Sequence, residues 1–241
     1  MTEAEWAAWT DPITLLDHIR GPTSSLPRPV VATDRQMLLW ACACCRRIGH
    51  LLNNIHCFNA ILTAERFADG ELSYKKLTAF GKRVMAWKVN FAESVGAHAA
   101  RACAHLVEGA DSAFDGMATP FLPPAEDATR WTVAAIREYA GVAMAEREKV
   151  VQCSIVRDII GNPFRLVACR TEWRTSTVTA LANEIYSDRR FGHLPELASA
   201  LLQAGCDNAE ILNHCRSDEV HVRGCWVVDL LLQRHVVLRW L

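Results

Sequence analysis

Apolar residues recur at intervals of three and four along most of the chain, and strictly alternating apolar and polar runs are scarce. This spacing places apolar side chains on one face of an α-helix, so it predicts helices throughout. Glycines, prolines and capping residues divide the pattern into about nine segments. We therefore expect an all-α fold, a multi-helix bundle of about nine helices with little or no β-sheet.

Capping signals locate two of the helix starts. Asp11 precedes Pro12, which is the order of an N-cap followed by proline at the first helical position. Thr33 and Gln36 form the pattern of a capping box and open a cysteine-rich helix over about residues 34–52. Most faces of that helix are apolar, so we expect it to be buried at the centre of the core.

Glycines and a further cap mark other helix ends. A long helical region is expected to bend or split near Gly81 or Gly96 and to end at Gly109. Asp207 with Glu210 predicts a capping arrangement, with the aspartate as the N-cap of a later helix. The last helix is expected to begin near residue 224.

The proline-rich segment MATPFLPPAED, residues 117–127, is the clearest linker in the sequence. It predicts an N-terminal helical region over residues 1–116, which contains the cysteine-rich helix, and a C-terminal helical region over 125–241. We expect the two regions to pack together as one globular unit.

The composition of the 241-residue chain is that of a globular protein, with 51% hydrophobic and 22% charged residues. A net charge of −1 gives no general attraction to nucleic acid or to an anionic membrane. The start of the chain is acidic and lacks the apolar run of a signal peptide, and no apolar stretch is long enough to span a membrane. Ten cysteines without a secretion signal are expected to be thiols, most of them buried, in a cytoplasmic protein.

Three stretches of the sequence carry a family resemblance: LLWACACCRRIGHLL, VRDIIGNPFRLV and HVRGCWVVDLLL. Together they resemble a family of uncharacterised proteins found mainly in planctomycete bacteria, which has no established activity. The resemblance covers nearly the whole chain and implies a bacterial cytosolic protein. This sequence departs from the family pattern at Gly49, where the family usually has tryptophan.

Cysteine and histidine are the ligands that zinc prefers, and they are concentrated in the segments 42–57 and 206–225. Cys42 and Cys45 form a C-x-x-C pair on one helical face, although zinc sites usually hold such pairs on a tight turn. The second segment supplies further ligands on loops and helix ends. The candidate metal ligands are Cys42, Cys45, His214, Cys215, His221 and Cys225. The alternative interpretation is that these cysteines fill narrow space between packed helices.

Catalytic signatures are missing from the sequence, so we assign no catalytic or cofactor-binding residues. The chain has no nucleophile elbow, phosphate-binding loop, dinucleotide fingerprint or H-E-x-x-H motif, and no Glu-x-x-His pair for a di-iron centre. Arg46 and Arg47 would favour a thiolate at Cys44 if that thiol were exposed, but the strand-to-helix context of redox motifs is missing. These absences favour a protein that is not an enzyme.

A polar cluster near the C-terminus is formed by Arg216, Arg223 and Asp229. Asp229 lies between Val228 and Leu230 in a segment that should be buried, and a buried carboxylate requires a partner. Arg223, Arg216 or His221 is the expected partner.

Two functions follow from these features. The first is a non-enzymatic helical scaffold or protein-interaction module with an unidentified protein partner, because Trp6, Trp9, Trp87 and Trp240 look exposed in the sequence. The alternative is a zinc-binding protein that uses cysteine and histidine from the segments 42–57 and 206–225. Neither function involves a membrane, and the charge balance argues against nucleic acid.

Overall fold

The computed structural model describes residues 1–20, 32–52, 54–88, 97–112, 122–165 and 167–234. These residues contain twelve α-helices and no β-strand, which confirms the all-α prediction. The helices are α1 (Glu3–Ala8), α2 (Pro12–Arg20), α3 (Asp34–Arg47), α4 (Ile55–Ala68), α5 (Tyr74–Lys88), α6 (Ala97–Ser112), α7 (Leu122–Ala140), α8 (Val142–Ile160), α9 (Ser176–Asp188), α10 (Leu194–Gln203), α11 (Ala209–Arg216) and α12 (Trp226–Leu232). Short 3₁₀ segments occupy Gly49–Leu51, Thr171–Trp173 and Phe191–His193.

The described residues have more helices than the nine expected. Two continuous helical patterns in the sequence each form two helices, α5 with α6 and α7 with α8, and the short helix α1 was not predicted. Thr2 and Glu5 close a capping box that begins α1, with the Thr2 amide donating to Glu5 Oε2 at 2.7 Å. Gly141 adopts a left-handed conformation, φ 86°, and separates α7 from α8.

The chain contains two compact units, Met1–Val156 and Arg157–His235, and the division falls within α8. The predicted linker at 117–127 lies partly outside the described residues, and α7 begins within it at Leu122. Each unit has an apolar core of its own helices.

The cysteine-rich helix α3 is the centre of the first unit, where it packs against α4, α6 and α7. The predicted capping box is present, since the Thr33 amide donates to Gln36 Oε1 at 2.9 Å. Trp40, Cys42 and Cys45 are completely buried. The helix ends at Arg47, five residues before the predicted end, and the 3₁₀ segment follows it.

Two ion pairs hold the C-terminal end of α3. Arg46 Nε donates to Glu65 of α4 at 2.7 Å, and Arg47 forms a bidentate pair with Glu148 of α8, at 2.8 Å for the shortest contact. Both carboxylates are almost fully buried. Each guanidinium at this end of the helix is therefore paired with a carboxylate from another helix of the first unit.

Two glycines, one expected to bend or split a helix and one expected to end it, lie inside helices. Gly81 continues α5, and Gly109 lies within α6, which ends at Ser112. A Cβ atom at Gly81 would lie 2.6 Å from the carbonyl oxygen of Val107, so this glycine allows α5 and α6 to approach closely. The predicted break at Gly96 lies outside the described residues.

The core of the second unit is made by one apolar face from each of α9 to α12. Its buried side chains include Val178, Ile185, Leu197, Leu201, Ile211, Val228 and Leu231. Gly205, φ 79°, follows the end of α10, with the Cys206 amide donating to the Leu201 carbonyl at 2.9 Å. The N-cap of α11 is Asn208, not Asp207, because Asn208 Oδ1 accepts from the Ile211 amide at 3.1 Å.

Nine of the ten cysteines are buried as free thiols, and Cys169 is half-buried, so the prediction of mostly buried thiols is confirmed. Burial raises the pKa of Cys44 well above its usual value, and Glu148 acts in the same direction. Arg47 opposes them without reversing the shift, so a redox role for this thiol is not favoured.

The prediction of exposed tryptophans is wrong for Trp6, which is 3% exposed, and holds for Trp9, which is 38% exposed. Trp240 and the side chain of Trp87 lie outside the described residues. No helix among the described residues is both long enough and apolar enough to cross a membrane.

Candidate metal centre

Four side chains of the second unit converge on one point. Asp158 comes from the last turn of α8, His214 from α11, His221 from the segment between α11 and α12, and Cys225 from the N-cap of α12. One potential ligand atom from each lies within 4.8 Å of all the others. A carboxylate oxygen, two imidazole nitrogens and a sulfur therefore face one another in the interior of the unit.

The distances between these atoms are short. Asp158 Oδ1 lies 2.7 Å from His221 Nδ1 and 3.1 Å from His214 Nε2. The same His214 nitrogen lies 3.2 Å from Cys225 Sγ. A tetrahedral zinc ion with ligands at about 2.0–2.3 Å separates them by roughly 3.3–3.8 Å, so small outward movements would admit the ion.

Burial sets the character of this group. The side chains of Asp158 and His221 are 2% and 6% exposed, Cys225 is fully buried, and His214 is the most accessible at 17%. An ionised carboxylate in such a place requires compensating charge. A closed group of four ligands is the arrangement of structural metal sites, whereas catalytic sites keep one position open.

Ser217 fixes the orientation of the His221 ring. Its hydroxyl donates to the carbonyl oxygen of His214 at 3.0 Å, so its lone pairs face His221 Nε2 at 3.3 Å. The carbonyl oxygen of Ser217 lies 3.4 Å from the same nitrogen. With a hydrogen on Nε2, both contacts are hydrogen bonds, and Nδ1 faces Asp158.

That orientation has an electrostatic consequence. A neutral imidazole with its hydrogen on Nε2 presents a lone pair at Nδ1, here 2.7 Å from a carboxylate oxygen. Two lone pairs at this distance repel each other unless a positive charge lies on or between them. In this tautomer, either a second proton on His221 or a metal ion supplies that charge.

The remaining carboxylate oxygen is also held in place. The backbone amide of Val222 donates to Asp158 Oδ2 at 2.8 Å. This bond leaves Oδ1 as the oxygen that faces the two histidines. A carboxylate fixed by a backbone donor is the kind of outer contact that orients metal ligands.

The pKa values of the group reflect burial and mutual attraction. Burial raises the pKa of Asp158, but hydrogen bonds from His214 and His221 outweigh it and leave the pKa below its usual value. Burial lowers the pKa of His221, and the hydrogen bond and charge of Asp158 reverse this and raise it. Burial and then Asp158 raise the pKa of the Cys225 thiol well above normal, although the amides of Val228 and Val227 oppose them.

Packing around Trp226 supports His214. The two rings are 5.2 Å apart between centroids, at an angle of 53°. Behind the indole lies Gly161, φ 74°, where a Cβ atom would meet Trp226 Cγ at 3.2 Å. The sequence Gly-Asn-Pro-Phe forms a turn here, in which Asn162 Oδ1 accepts from the Phe164 amide at 3.0 Å. The turn after α8 thus lets Trp226 pack beside the ligand group.

The structure brings together three of the six predicted ligands, His214, His221 and Cys225. Cys215 is buried beside them in the core of the second unit, where burial raises its pKa to about 12, and it is not part of the group. Cys42 and Cys45 belong to the first unit. The Cys42 thiol donates to the Ile61 carbonyl at 3.9 Å, and Cys45 contacts Cys103.

Asp158 was not among the ligands predicted from the sequence. The residue interrupts the apolar run SIVRDII near the end of α8, and a charged residue within such a run is the same signal that singled out Asp229. The signal marks a buried carboxylate without identifying its partners, because those partners lie more than 50 residues further along the chain.

The residues of the predicted polar cluster lie in the second unit. Asp229 is buried, 3% exposed, as predicted. His221 pairs with Asp158, and Arg216 is exposed at the end of α11. The Arg223 guanidinium lies 4.7 Å from the centre of the Tyr186 ring, within cation–π distance.

The described residues thus define an all-α protein with a buried O, N, N, S ligand group in its second unit. Comparisons with protein-family models, with curated proteins and with solved structures found no match to this chain.

Proposed function

We propose that this chain is a metal-binding protein whose second unit holds one zinc ion through Asp158, His214, His221 and Cys225. The convergence of four donor atoms within 4.8 Å carries the proposal. Nitrogen, sulfur and carboxylate oxygen are the donors that zinc takes in proteins. Because the group is closed and nearly inaccessible, the ion has a structural role.

The geometry disfavours a cysteine nucleophile at the same place. A Cys-His-Asp catalytic group uses one imidazole nitrogen towards the thiol and the other towards the carboxylate. Here the single nitrogen Nε2 of His214 faces both Cys225 Sγ and Asp158 Oδ1. Donor atoms that all face one point can share an ion. A proton relay instead requires the thiol and the carboxylate to contact different nitrogens of the histidine ring.

The test is the metal content of the full-length chain, purified without chelators and measured by mass spectrometry. We expect about one zinc per chain in the wild type, as for a single structural site. Cys225→Ser should lose the zinc. Cys215→Ser is the matched control, because Cys215 is also fully buried in the same core and lies outside the group. A wild-type chain that remains metal-free after incubation with zinc would contradict the proposal.

A second candidate function is self-association through α4, as an interaction module. Ile55, Phe58 and Leu62 are 65%, 37% and 46% exposed and follow one another at intervals of three and four. This is the spacing of a helix–helix seam. A second copy of the chain offers the same stripe, so the contact can close around a two-fold axis.

Sedimentation equilibrium tests this candidate. We expect the wild-type chain to dimerise and the variant Ile55→Lys/Leu62→Lys to be monomeric. Leu202→Lys is the control, because Leu202 is a similarly exposed leucine, at 45%, on α10. A monomeric wild type at high concentration would remove self-association as a function.

A further inference from the structure

We infer that metal occupancy controls the order of one segment of the second unit, residues 217–225, while the packed helices α9 and α10 keep their structure without metal. The inference rests on the proposed zinc centre and adds what the ion regulates.

The segment 217–225 joins α11 to α12 and contains no helix or strand. It contributes little to the apolar core, since Cys225 is its one residue in that cluster of the described residues. Val220 and Val222 are half-buried, and Asp218 and Glu219 are exposed. Apolar burial therefore provides little of the free energy that holds this segment in place.

Polar contacts to the ligand group hold the segment instead. His221 Nδ1 and the Val222 amide both meet Asp158, at 2.7 Å and 2.8 Å. Cys225 Sγ meets His214 at the other end of the segment. A zinc ion at the centre of the group would hold the segment at two points, because it would be bonded both to His221 in its middle and to Cys225 at its end.

The helices behind the segment have a different basis of stability. Val178, Ile185, Leu197 and Leu201 of α9 and α10 are completely buried in the apolar cluster. Their packing does not depend on the charge of the ligand group. Local opening of a polar segment on a stable apolar core is the ordinary pattern of sub-global unfolding.

Hydrogen exchange of the full-length chain, with and without one equivalent of zinc, tests the inference. The Val222 amide is the reporter, since it donates directly to Asp158 Oδ2. We expect exchange across 217–225 to become at least about tenfold faster without zinc, and exchange in α9 and α10 to stay unchanged. The zinc-dependent difference should disappear in Cys225→Ser and persist in Cys215→Ser.

The alternative outcomes separate the two proposals. Zinc that binds without changing exchange in 217–225 would overturn the inference and leave the zinc centre standing. Zinc that binds and protects α9 and α10 equally would also overturn it, because the ion would then support folding of the whole unit. Absence of zinc binding, measured in the same samples, would overturn both.

Discussion

His221 Nδ1 lies 2.7 Å from Asp158 Oδ1, although 63 positions of sequence separate the two residues. The contact joins the end of α8 to the segment between α11 and α12. Ser217 faces the other ring nitrogen of the same histidine, with its hydroxyl 3.3 Å and its carbonyl oxygen 3.4 Å from Nε2, so it orients the ring towards Asp158. Residues that orient the candidate ligands, such as Ser217, can therefore be tested by substitution in the same way as the ligands themselves.

Replacing Ser217 with alanine should weaken zinc binding about tenfold, the lower end of the range for contacts that orient ligands. The hydroxyl would no longer face His221 Nε2, and the carbonyl oxygen of residue 217 would remain as a weaker acceptor. Ser217→Thr should keep nearly the wild-type affinity. The measurement is competition with a chromophoric zinc chelator at fixed pH.

Ser199→Ala is the control for that series, because the Ser199 hydroxyl donates to the Pro195 carbonyl at 3.0 Å on α10. Its zinc affinity should equal that of the wild type. Equal affinities of Ser217→Ala and Ser199→Ala would show that the hydroxyl does not orient His221.

Removing Arg47 should destabilise the first unit strongly. Arg47→Met leaves the Glu148 carboxylate, 5% exposed, without its bidentate partner. Loss of one member of a buried pair typically costs 3–5 kcal/mol, and the partial exposure of Arg47 reduces this to about 2 kcal/mol. Urea denaturation measures the change in the free energy of unfolding.

Two further variants check the cause of that loss. Arg66→Met breaks the Arg66–Glu71 pair, whose members are 55% and 48% exposed, and should cost under about 0.5 kcal/mol. Adding Glu148→Gln to Arg47→Met should recover part of the stability, because it removes the uncompensated charge. No recovery would mean that lost packing of the Arg47 stem explains the effect.

Substituting Gly81 with alanine should destabilise the chain, although alanine favours a helix over glycine by about 1 kcal/mol. The added Cβ would lie 2.6 Å from the Val107 carbonyl oxygen and force α5 away from α6. We expect a net loss of about 1–2 kcal/mol, typical of overpacking.

Thermal unfolding compares Gly81→Ala with Gly192→Ala. At Gly192 a Cβ atom would meet nothing within 4 Å, so that variant should change the stability by less than about 0.5 kcal/mol. A stabilised Gly81→Ala variant would show that the two helices can separate at little cost.

Asp34 should make stability depend on pH. Burial raises the pKa of this carboxyl from 3.8 to about 6. Because the folded state prefers the protonated form, stability should fall as pH rises from about 4 to about 6 and stay lower above that range. Asp34→Asn should therefore gain about 1 kcal/mol at pH 7.5, where the loss of a carboxylate at the helix N-terminus offsets part of the benefit.

The same variant at pH 4 is the control for Asp34. There the native carboxyl is largely protonated in the folded state, so the gain should nearly vanish. Urea denaturation at the two pH values gives both numbers. An equal gain at both would assign the effect to packing.

The fold class was predictable because helical spacing and caps are local signals. Thr33 and Gln36 located the start of α3 because a capping box needs four consecutive residues and no tertiary contact. The end of α3 was placed too far along the chain. Gly109 does not end a helix, because a single glycine is tolerated inside one and does not by itself mark its end.

Three of the four residues of the candidate centre could be predicted from the sequence. His214, His221 and Cys225 stand close together in sequence, so their density indicated a site. Asp158 could not be joined to them by spacing, because its approach depends on how the end of α8 meets α11 and α12. Cys42 and Cys45 have the spacing of a metal pair, but both are fully buried in a helix of the other unit.

The distance in sequence between Asp158 and His221 has an energetic consequence of its own. An ion bonded to both would close a loop of 63 residues and act as a reversible cross-link. Because the unfolded chain would release the ion, the link would not constrain the unfolded state as a disulfide does, and its contribution would depend on the concentration of free zinc. Unlike a disulfide, such a link needs no oxidant and would loosen whenever the surrounding free zinc falls below its dissociation constant.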